Sequence, residues 1–306
     1  MTDLQKSRTL RAFSVLLAAI ILLCAALTPK AHAASTAEYY ENAVLFWTNV
    51  ERSRHGLSKL KTAASLNTAA GNRANELITK FSHTRPNGNS WKTVLSARGI
   101  SYSTAGENIA SGYANPCAVV AGWMESEGHR DNILSSKFTH MGVGYCKSDS
   151  GKAYWEQLFT GGASFSDSKS SFNVAPTGVS VDKTSIKLSA GSSTTVTGTP
   201  SPVYATAEIT CTSSNSSVVK VTGIEVNKIT VKAVASGTAT LTVKCGSYSK
   251  SVSVTVGAGS SSSSSASDKT PTVIPTIAEI PVFDFFSRAF GKAFDIFDFF
   301  DALQFT

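Results

Sequence analysis

The sequence predicts an α+β domain, then an all-β sandwich and a C-terminal amphipathic segment. Apolar residues recur at helical spacing as far as about residue 127, and two strand-like runs follow at 141–146 and 153–159. Beyond residue 177, short runs alternate apolar and polar residues at period two, with turn residues between them. Helices first and strands later, without regular βαβ alternation, favour the α+β class for the N-terminal part.

The first 33 residues have the pattern of a secretory signal peptide. Basic residues precede an apolar run over 12–27, and Ala31-His32-Ala33 supplies the small residues of a cleavage site. The run is short for a transmembrane anchor, which needs about 20 apolar residues. We therefore predict export and cleavage after Ala33, and Cys24 is expected to leave with the signal.

Composition excludes some classes of function. The 306 residues are 42% hydrophobic and 16% charged, which is typical of globular domains and long enough for two of them. The net charge of +7 falls when residues 1–33 are removed, and it is too mild to predict nucleic-acid binding. A weak attraction to anionic cell-wall polymers is the alternative to a simple solvated surface.

Four cysteines remain after the predicted cleavage site. An even number in an exported protein predicts two disulfides, for which three connectivities exist. A domain boundary between the second and third cysteine favours Cys117 with Cys146 and Cys211 with Cys245. No two of them have the spacing of zinc ligands.

The N-terminal helices are predicted from their periodicity. A first amphipathic helix covers 37–54 and a second, Ala-rich one covers 65–79. Pro86 ends helical structure in the following turn, and shorter helices are expected at 91–98 and 118–127.

The rest of the chain divides by composition. A Ser-rich linker is predicted at 166–176, the β-sandwich at 177–257 and a flexible Ser-rich linker at 258–276. The tail at 277–306 has Phe residues at i, i+3 and i+4 spacing, which gives an apolar helical face. Acidic residues outnumber basic ones there, so docking on the chain or on a partner is favoured over a membrane surface.

The N-terminal domain resembles the CAP superfamily (cysteine-rich secretory proteins, antigen 5 and pathogenesis-related 1), in its bacterial branch. The resemblance covers nearly all of residues 37–160 and includes several motifs in order: Arg52–Leu57 with Leu60, 73–77, 81–88, Gly106-Glu-Asn-Ile109, 123–134, Gly142-Val-Gly144 and 154–159. It implies a three-layer α-β-α sandwich, and so refines the predicted fold class.

The resemblance also implies a cleft that gathers two histidines and two acidic residues. His83, Glu107 and His129 match three of these positions, whereas Ser126 occupies the position of the second acidic residue. Glu125 is the better substitute, because on a continuing helix it would share a face with His129 at i+4.

Three roles remain open for this cleft. Two imidazoles with one or two carboxylates suit zinc or another divalent cation, with His83 and His129 as the metal ligands. They equally suit acid–base chemistry or a hydrogen-bond network that stabilises the fold. Ser126 as a nucleophile beside His129 is not favoured, because no nucleophile elbow surrounds it.

Residues 177–256 resemble bacterial immunoglobulin-like domains of group 2, through Thr212–Asn215 and Ala235–Leu241. Such domains usually act as spacers or adhesion modules.

We therefore expect a secreted or cell-surface protein that binds a ligand rather than one that catalyses a reaction. A lipid, a cell-wall component or a host surface ligand would bind in the cleft, with the β-sandwich as spacer or adhesin. The alternative is a secreted hydrolase or metal-dependent enzyme that acts on peptide or cell-wall material.

Overall fold

The computed structural model describes residues 34–258, which fall within one compact unit. The predicted signal peptide (1–33), the Phe-rich tail (277–306) and the Ser-rich segment beyond residue 258 lie outside the described residues. Residues 34–258 form an N-terminal domain of helices and strands and a C-terminal β-domain. Among them, no helix is both long and apolar enough to cross a membrane.

The N-terminal domain has three layers. Its helices are α1 (Thr36–Arg54), α2 (Ala64–Thr79), α3 (Thr93–Ser96), α4 (Pro116–Glu125) and α5 (Glu127–Leu134). Its strands are β1 (Thr62–Ala63), β2 (Thr104–Ser111), β3 (His140–Lys147), β4 (Ala153–Gly161) and β5 (Ser168–Lys169). The antiparallel sheet β2-β4-β3 is covered by α2 on one face and by α1, α4 and α5 on the other.

Two glycines let α2 lie directly on the sheet. A Cβ atom at Gly142 would lie 2.5 Å from the carbonyl oxygen of Leu66, and one at Gly144 would lie 2.1 Å from that of Ala70. Both distances are shorter than any real carbon contact, so only glycine fits at these positions of β3. The alanines of α2 complete this close approach, because their side chains add little thickness to the layer.

The β-domain consists of eight strands in two four-stranded sheets that share one core. The strands are β6 (Gly178–Val181), β7 (Ser185–Ser189), β8 (Ser193–Ser201), β9 (Ile209–Ser213), β10 (Val219–Glu225), β11 (Lys228–Ala233), β12 (Gly237–Cys245) and β13 (Tyr248–Gly257). One sheet has the order β10-β11-β8-β6 and the other β7-β13-β12-β9, in which β7 and β13 are parallel. Alternate residues such as Val196, Val231, Leu241 and Val254 are buried, as period-two patterning predicts.

The two domains are in direct contact through a buried carboxylate. Glu51 on α1 is 1% exposed, and its Oε1 accepts a 2.6 Å hydrogen bond from the backbone N of Val226 in the turn between β10 and β11. Val226 is fully buried with φ of 51°, a conformation that is uncommon for a branched residue. Arg54 pairs with the same Glu51 oxygen at 2.7 Å and also contacts Glu208 at 3.5 Å.

The connection between the domains is bound along its length. Asp167 accepts a 2.6 Å hydrogen bond from the backbone N of Ser65, and β5 pairs with β1. The side chain of Asn42 bonds both backbone groups of Phe172, at 2.8 and 3.0 Å. We predicted a Ser-rich linker here, and the structure shows a strap held against α1 and α2.

The four cysteines are free thiols, so neither predicted disulfide is present. Cys211 lies opposite Val243, and Cys245 lies opposite Ile209, which makes the two cysteines diagonal neighbours on adjacent strands. Diagonal neighbours are about 7–8 Å apart, beyond the Cβ separation of about 4 Å that a disulfide requires. The sulfur of Cys117 contacts Asn115, whereas that of Cys146 contacts the carbonyl oxygen of Ala74 on α2.

Candidate functional site

The candidate cleft lies along β2, one of the two edge strands of the N-terminal sheet. Glu107 on β2 faces the α2 side, where Arg73 and His83 meet it. The next residue, Asn108, faces the other side and donates a 3.1 Å hydrogen bond to the carbonyl oxygen of His129 on α5. The edge strand therefore brings together three predicted site residues that are far apart in the sequence.

Both oxygens of Glu107 are already occupied. Oε1 accepts from Nε of Arg73 at 2.8 Å, and Oε2 lies 2.5 Å from Nδ1 of His83. Because a carboxylate can only accept, this contact places a proton on Nδ1 of His83. The imidazole is thereby oriented, although its side chain is 52% exposed.

Arg73 belongs to the site, although our sequence analysis did not predict it as a site residue. It is fully buried on α2, and its Nη2 also donates to the carbonyl oxygen of Ser82 in the loop that carries His83. A signal was present, because Arg73 falls on the same helical face as Leu66, Ala70 and Leu77. A charge on the buried face of an amphipathic helix needs a buried partner, which here is Glu107.

The loop with His83 has a second anchor in Arg85. Its guanidinium contacts the Glu76 carboxylate through Nε at 2.9 Å and Nη2 at 2.5 Å, and Nη1 donates to Oγ1 of Thr93 at 2.7 Å. Arg73 and Arg85 thus fix both ends of the segment around His83. The imidazole of His83 therefore lies on a loop that is anchored on both sides.

Glu156 was also missed. It lies fully buried on β4, on the sheet face that is covered by α2. Burial raises its pKa well above the usual range, the nearby Glu107 charge raises it further, and Arg73 opposes both. The carboxyl group is therefore held protonated beside the Arg73–Glu107 pair. No local pattern marked Glu156, because the burial of both faces of β4 follows from the packing of helices on both sides of the sheet.

His129 provides an uncharged imidazole. Burial lowers its pKa to about 4, and the neighbouring His83 contributes to the same shift. Near neutral pH the ring is neutral, with one nitrogen as donor and one as acceptor. Its helix is fixed to β2 by Asn132, which donates to Oδ1 of Asn108 at 2.9 Å and to the carbonyl oxygen of Glu107 at 3.2 Å.

The partly buried, neutral imidazole of His129 predicts acid sensitivity. His129 binds fewer protons in the folded than in the unfolded state between pH 6.5 and about 4, so stability rises with pH across this window and is lost as pH falls. We expect His129→Asn to remove about 2–3 kcal/mol of this dependence. Urea unfolding of both proteins at pH 7, 5.5 and 4.5 measures it, and equal slopes would contradict the expectation.

Glu125 does not lie with the cleft residues. Helix α4 ends at Glu125, and Ser126 is extended with φ −96° and ψ 123° before α5 begins. The continuing helix that we predicted is therefore interrupted, and the i+4 relation to His129 is lost. Glu125 instead pairs with Lys228 of the β-domain, while Ser126 is exposed.

The cleft does not fit a metal ion well. Among residues 34–258, no group of three His, Cys, Asp or Glu side chains is arranged to hold one. The carboxylate nearest the histidines is shared between Arg73 and His83, and a buried guanidinium beside it opposes a second cation. The predicted zinc site at His83 and His129 therefore lacks a third ligand.

Comparison with known proteins shows which family the N-terminal domain is similar to. Residues 46–159 match the model of the cysteine-rich secretory protein family, CAP. Residues 46–159, about a third of the chain, are therefore similar to this family.

The matching relatives are bacterial. The chain is 44% identical over 131 residues to the uncharacterized protein YkwD of Bacillus subtilis (strain 168), covering 42% of this chain and 50% of that protein. It is 39% identical over 106 residues to the uncharacterized membrane protein YlbC of the same organism, covering 34% and 31%. The chain thus spans half or less of the length of these relatives.

Among solved structures, an extracellular protein containing an SCP domain from Bacillus anthracis strain Ames matches with a TM-score of 0.38 and 30% identity. The match covers 41% of each chain.

Proposed function

We propose that this chain is an extracellular CAP protein that binds a cell-wall glycan through its cleft and is not itself a hydrolase. The observation that carries the proposal is the saturation of Glu107, whose two oxygens are held by Arg73 and His83. A carboxylate in this state is not free to act as a general base or to bind a metal. Among the described residues, no hydroxyl or thiol is hydrogen-bonded to the ring of His83 or His129, so no activated nucleophile supports catalysis.

A glycan suits the groups that remain. His129 is neutral, with one ring nitrogen as donor and one as acceptor, and the side chain of His83 is 52% exposed, so both imidazoles can form hydrogen bonds with hydroxyl groups. Trp91 is half-buried next to this site, and its backbone N donates to the carbonyl oxygen of His83. The uncharged imidazole of His129 favours a neutral ligand such as a sugar over a charged peptide.

We propose that the β-domain is a rigid support for the N-terminal domain that carries the cleft. Its eight-stranded, two-sheet architecture and its sequence marks favour a bacterial immunoglobulin-like domain of group 2. The contact between Glu51 and Val226 and the bound connection favour a rigid support over a flexible spacer. Export by the N-terminal signal remains part of this proposal.

One observation favours the alternative of a secreted hydrolase. Glu107 orients His83 as a carboxylate orients the general base in many hydrolases, leaving Nε2 to take a proton. A water molecule bound by the substrate would then be the nucleophile. The two functions are separated by experiment.

The test is cosedimentation of the full chain with bacterial sacculi from which phosphate polymers have been stripped. We expect the wild-type chain to bind. His83→Ala and His129→Ala should each weaken the affinity by about tenfold, which is the effect of losing about one hydrogen bond to the ligand. His55→Ala, a histidine outside the cleft, is the matched control.

Failure of the folded wild-type chain to bind would overturn the proposal. Soluble fragments released from the sacculi, at a rate that His83→Ala abolishes, would establish the hydrolase instead. Binding to phosphatidylcholine vesicles but not to sacculi would assign the cleft to lipids.

A further inference from the structure

A second site lies outside the cleft, in a cavity of about 410 Å³ on the N-terminal domain. One wall is the segment that follows α1, with Ser58, Lys59 and Lys61, and the other is the segment that leads into β3, with Thr139 and His140. Arg52 lines the cavity between them, and we call this set the basic groove. None of the residues that line it is acidic.

The basic groove is a built feature. At one end its walls are joined by backbone hydrogen bonds, from Lys61 N to Thr139 O at 3.0 Å and from Met141 N to Lys61 O at 2.8 Å. At the other end Arg52 joins them, donating from Nε to the carbonyl oxygen of Ser58 and from Nη1 to those of Ile133 and Ser135. The spacing of the two walls is therefore set by the fold.

The charge of Arg52 is buried without an acidic partner. The residue is 1% exposed, and its three acceptors are all neutral carbonyl oxygens. Within residues 34–258, Nη2 of Arg52 makes no hydrogen bond, and no carboxylate forms an ion pair with Arg52, Lys59 or Lys61. A buried cation normally has an anionic partner. The side chains around the basic groove do not provide one, so a bound anion would complete the site.

The other titratable side chains that line the basic groove are either positively charged, like Arg52, or neutral. Lys59 and Lys61 are exposed at the rim, so their ammonium groups are free to turn toward a ligand. His140 packs its ring against Phe165 at 4.8 Å and contacts Oγ1 of Thr139 through Nδ1. Burial and the charge of Lys61 lower the pKa of His140, which shows that Lys61 acts on the same space.

We propose that the basic groove binds a phosphate group carried by a sugar or polyol. A guanidinium with a free Nη2 and two flexible ammonium groups match the charge and the multiple acceptors of phosphate. The cavity is much larger than a phosphate ion and within the range of about 300–1,000 Å³ for small-molecule sites, so space remains for a carrier. Ser58 and Thr139 line the same cavity and carry hydroxyl groups, which suit a polyol.

This site does not depend on the glycan proposal for the cleft, because it uses different residues and a charged ligand. The experiment is calorimetric titration of the full chain with glycerol 3-phosphate and glucose 1-phosphate, and with glycerol, glucose and inorganic phosphate as comparisons. The test variant is Lys59→Glu with Lys61→Glu, which spares Arg52 because that residue also holds the fold.

The matched control is Lys147→Glu with Lys152→Glu, which makes the same change in net charge. Lys147 is at the far end of β3 from His140, about 20 Å away at the rise of a β-strand. We expect both phosphate esters to bind to the wild-type chain, and glycerol and glucose not to bind. The test variant should lose roughly tenfold or more in affinity for the esters, whereas the affinity of the control variant should change less than about twofold.

Absence of binding to the folded wild-type chain would overturn the proposal. So would an equal loss in the control variant, since it would show only general attraction by net charge. Equal affinity for inorganic phosphate would overturn the assignment of a sugar or polyol carrier.

Discussion

Replacement of Glu107 by alanine is expected to lower the free energy of unfolding by about 3–5 kcal/mol, the usual cost of leaving a buried charge without its partner. Arg73 is fully buried, and Glu107 is its closest carboxylate at 2.8 Å. Without Glu107 its guanidinium would retain the carbonyl oxygen of Ser82 and a 3.7 Å approach to Glu76. Urea unfolding at pH 7 measures the loss.

Two further variants test the cause of this loss. Glu107→Gln keeps one acceptor oxygen and should cost clearly less than the alanine variant. His83→Ala should have a small effect, because its ring is half exposed and its loop is held by Arg73 and Arg85. If Glu107→Ala costs less than about 1 kcal/mol, the buried Glu156 has taken over as the counter-charge of Arg73.

Replacement of Glu51 by alanine is expected to cost about 2–3 kcal/mol and to loosen the contact between the two domains. It removes the acceptor of the buried Val226 N–H and the partner of Arg54, and an unsatisfied buried donor carries the cost of its lost hydration. Calorimetry should show one cooperative transition for the wild-type chain and two for the variant. Cleavage by a protease within 166–176 should also become faster.

Lys228→Ala is the matched control at the same interface. Its ion pair with Glu125 is substantially exposed on both sides, with side-chain exposures of 38% and 50%. Such pairs contribute less than about 1 kcal/mol, so this variant should keep the single transition. Two transitions in the wild-type chain would show that the contact at Glu51 does not couple the domains.

Helices α1 to α4 and most strands could be predicted because their patterns are local, whereas α5 was not predicted. The apolar stripes of α1 and α2 have helical periodicity, and the strands of the β-domain alternate at period two. The strand β2 was not predicted, since Gly106-Glu-Asn in its centre breaks any alternation. It became a strand because β4 supplies a partner along its whole length.

The candidate site could be predicted only in part. The resemblance to CAP domains placed His83, Glu107 and His129, and the fold brings them to one strand edge. Glu125 was placed by assuming a helix that continued through Ser126, whereas the chain is extended at that residue. The cysteine pairing followed from the domain boundary alone, which carries no information about the distance between Cβ atoms.

The sequence by itself determined the amphipathic faces of α1 and α2 and the period-two patterning of the β-domain strands, because each depends on neighbours within a few residues. Only the tertiary structure decided that Arg73 and His83 occupy both oxygens of Glu107 and that Glu51 accepts a hydrogen bond from the backbone of Val226. It also decided that Arg52 has no acidic partner among the described residues. These facts depend on pairs separated by 24 to 175 residues or on which side chains line a cavity. Such contacts form when sheets and helices pack, and no local pattern encodes them.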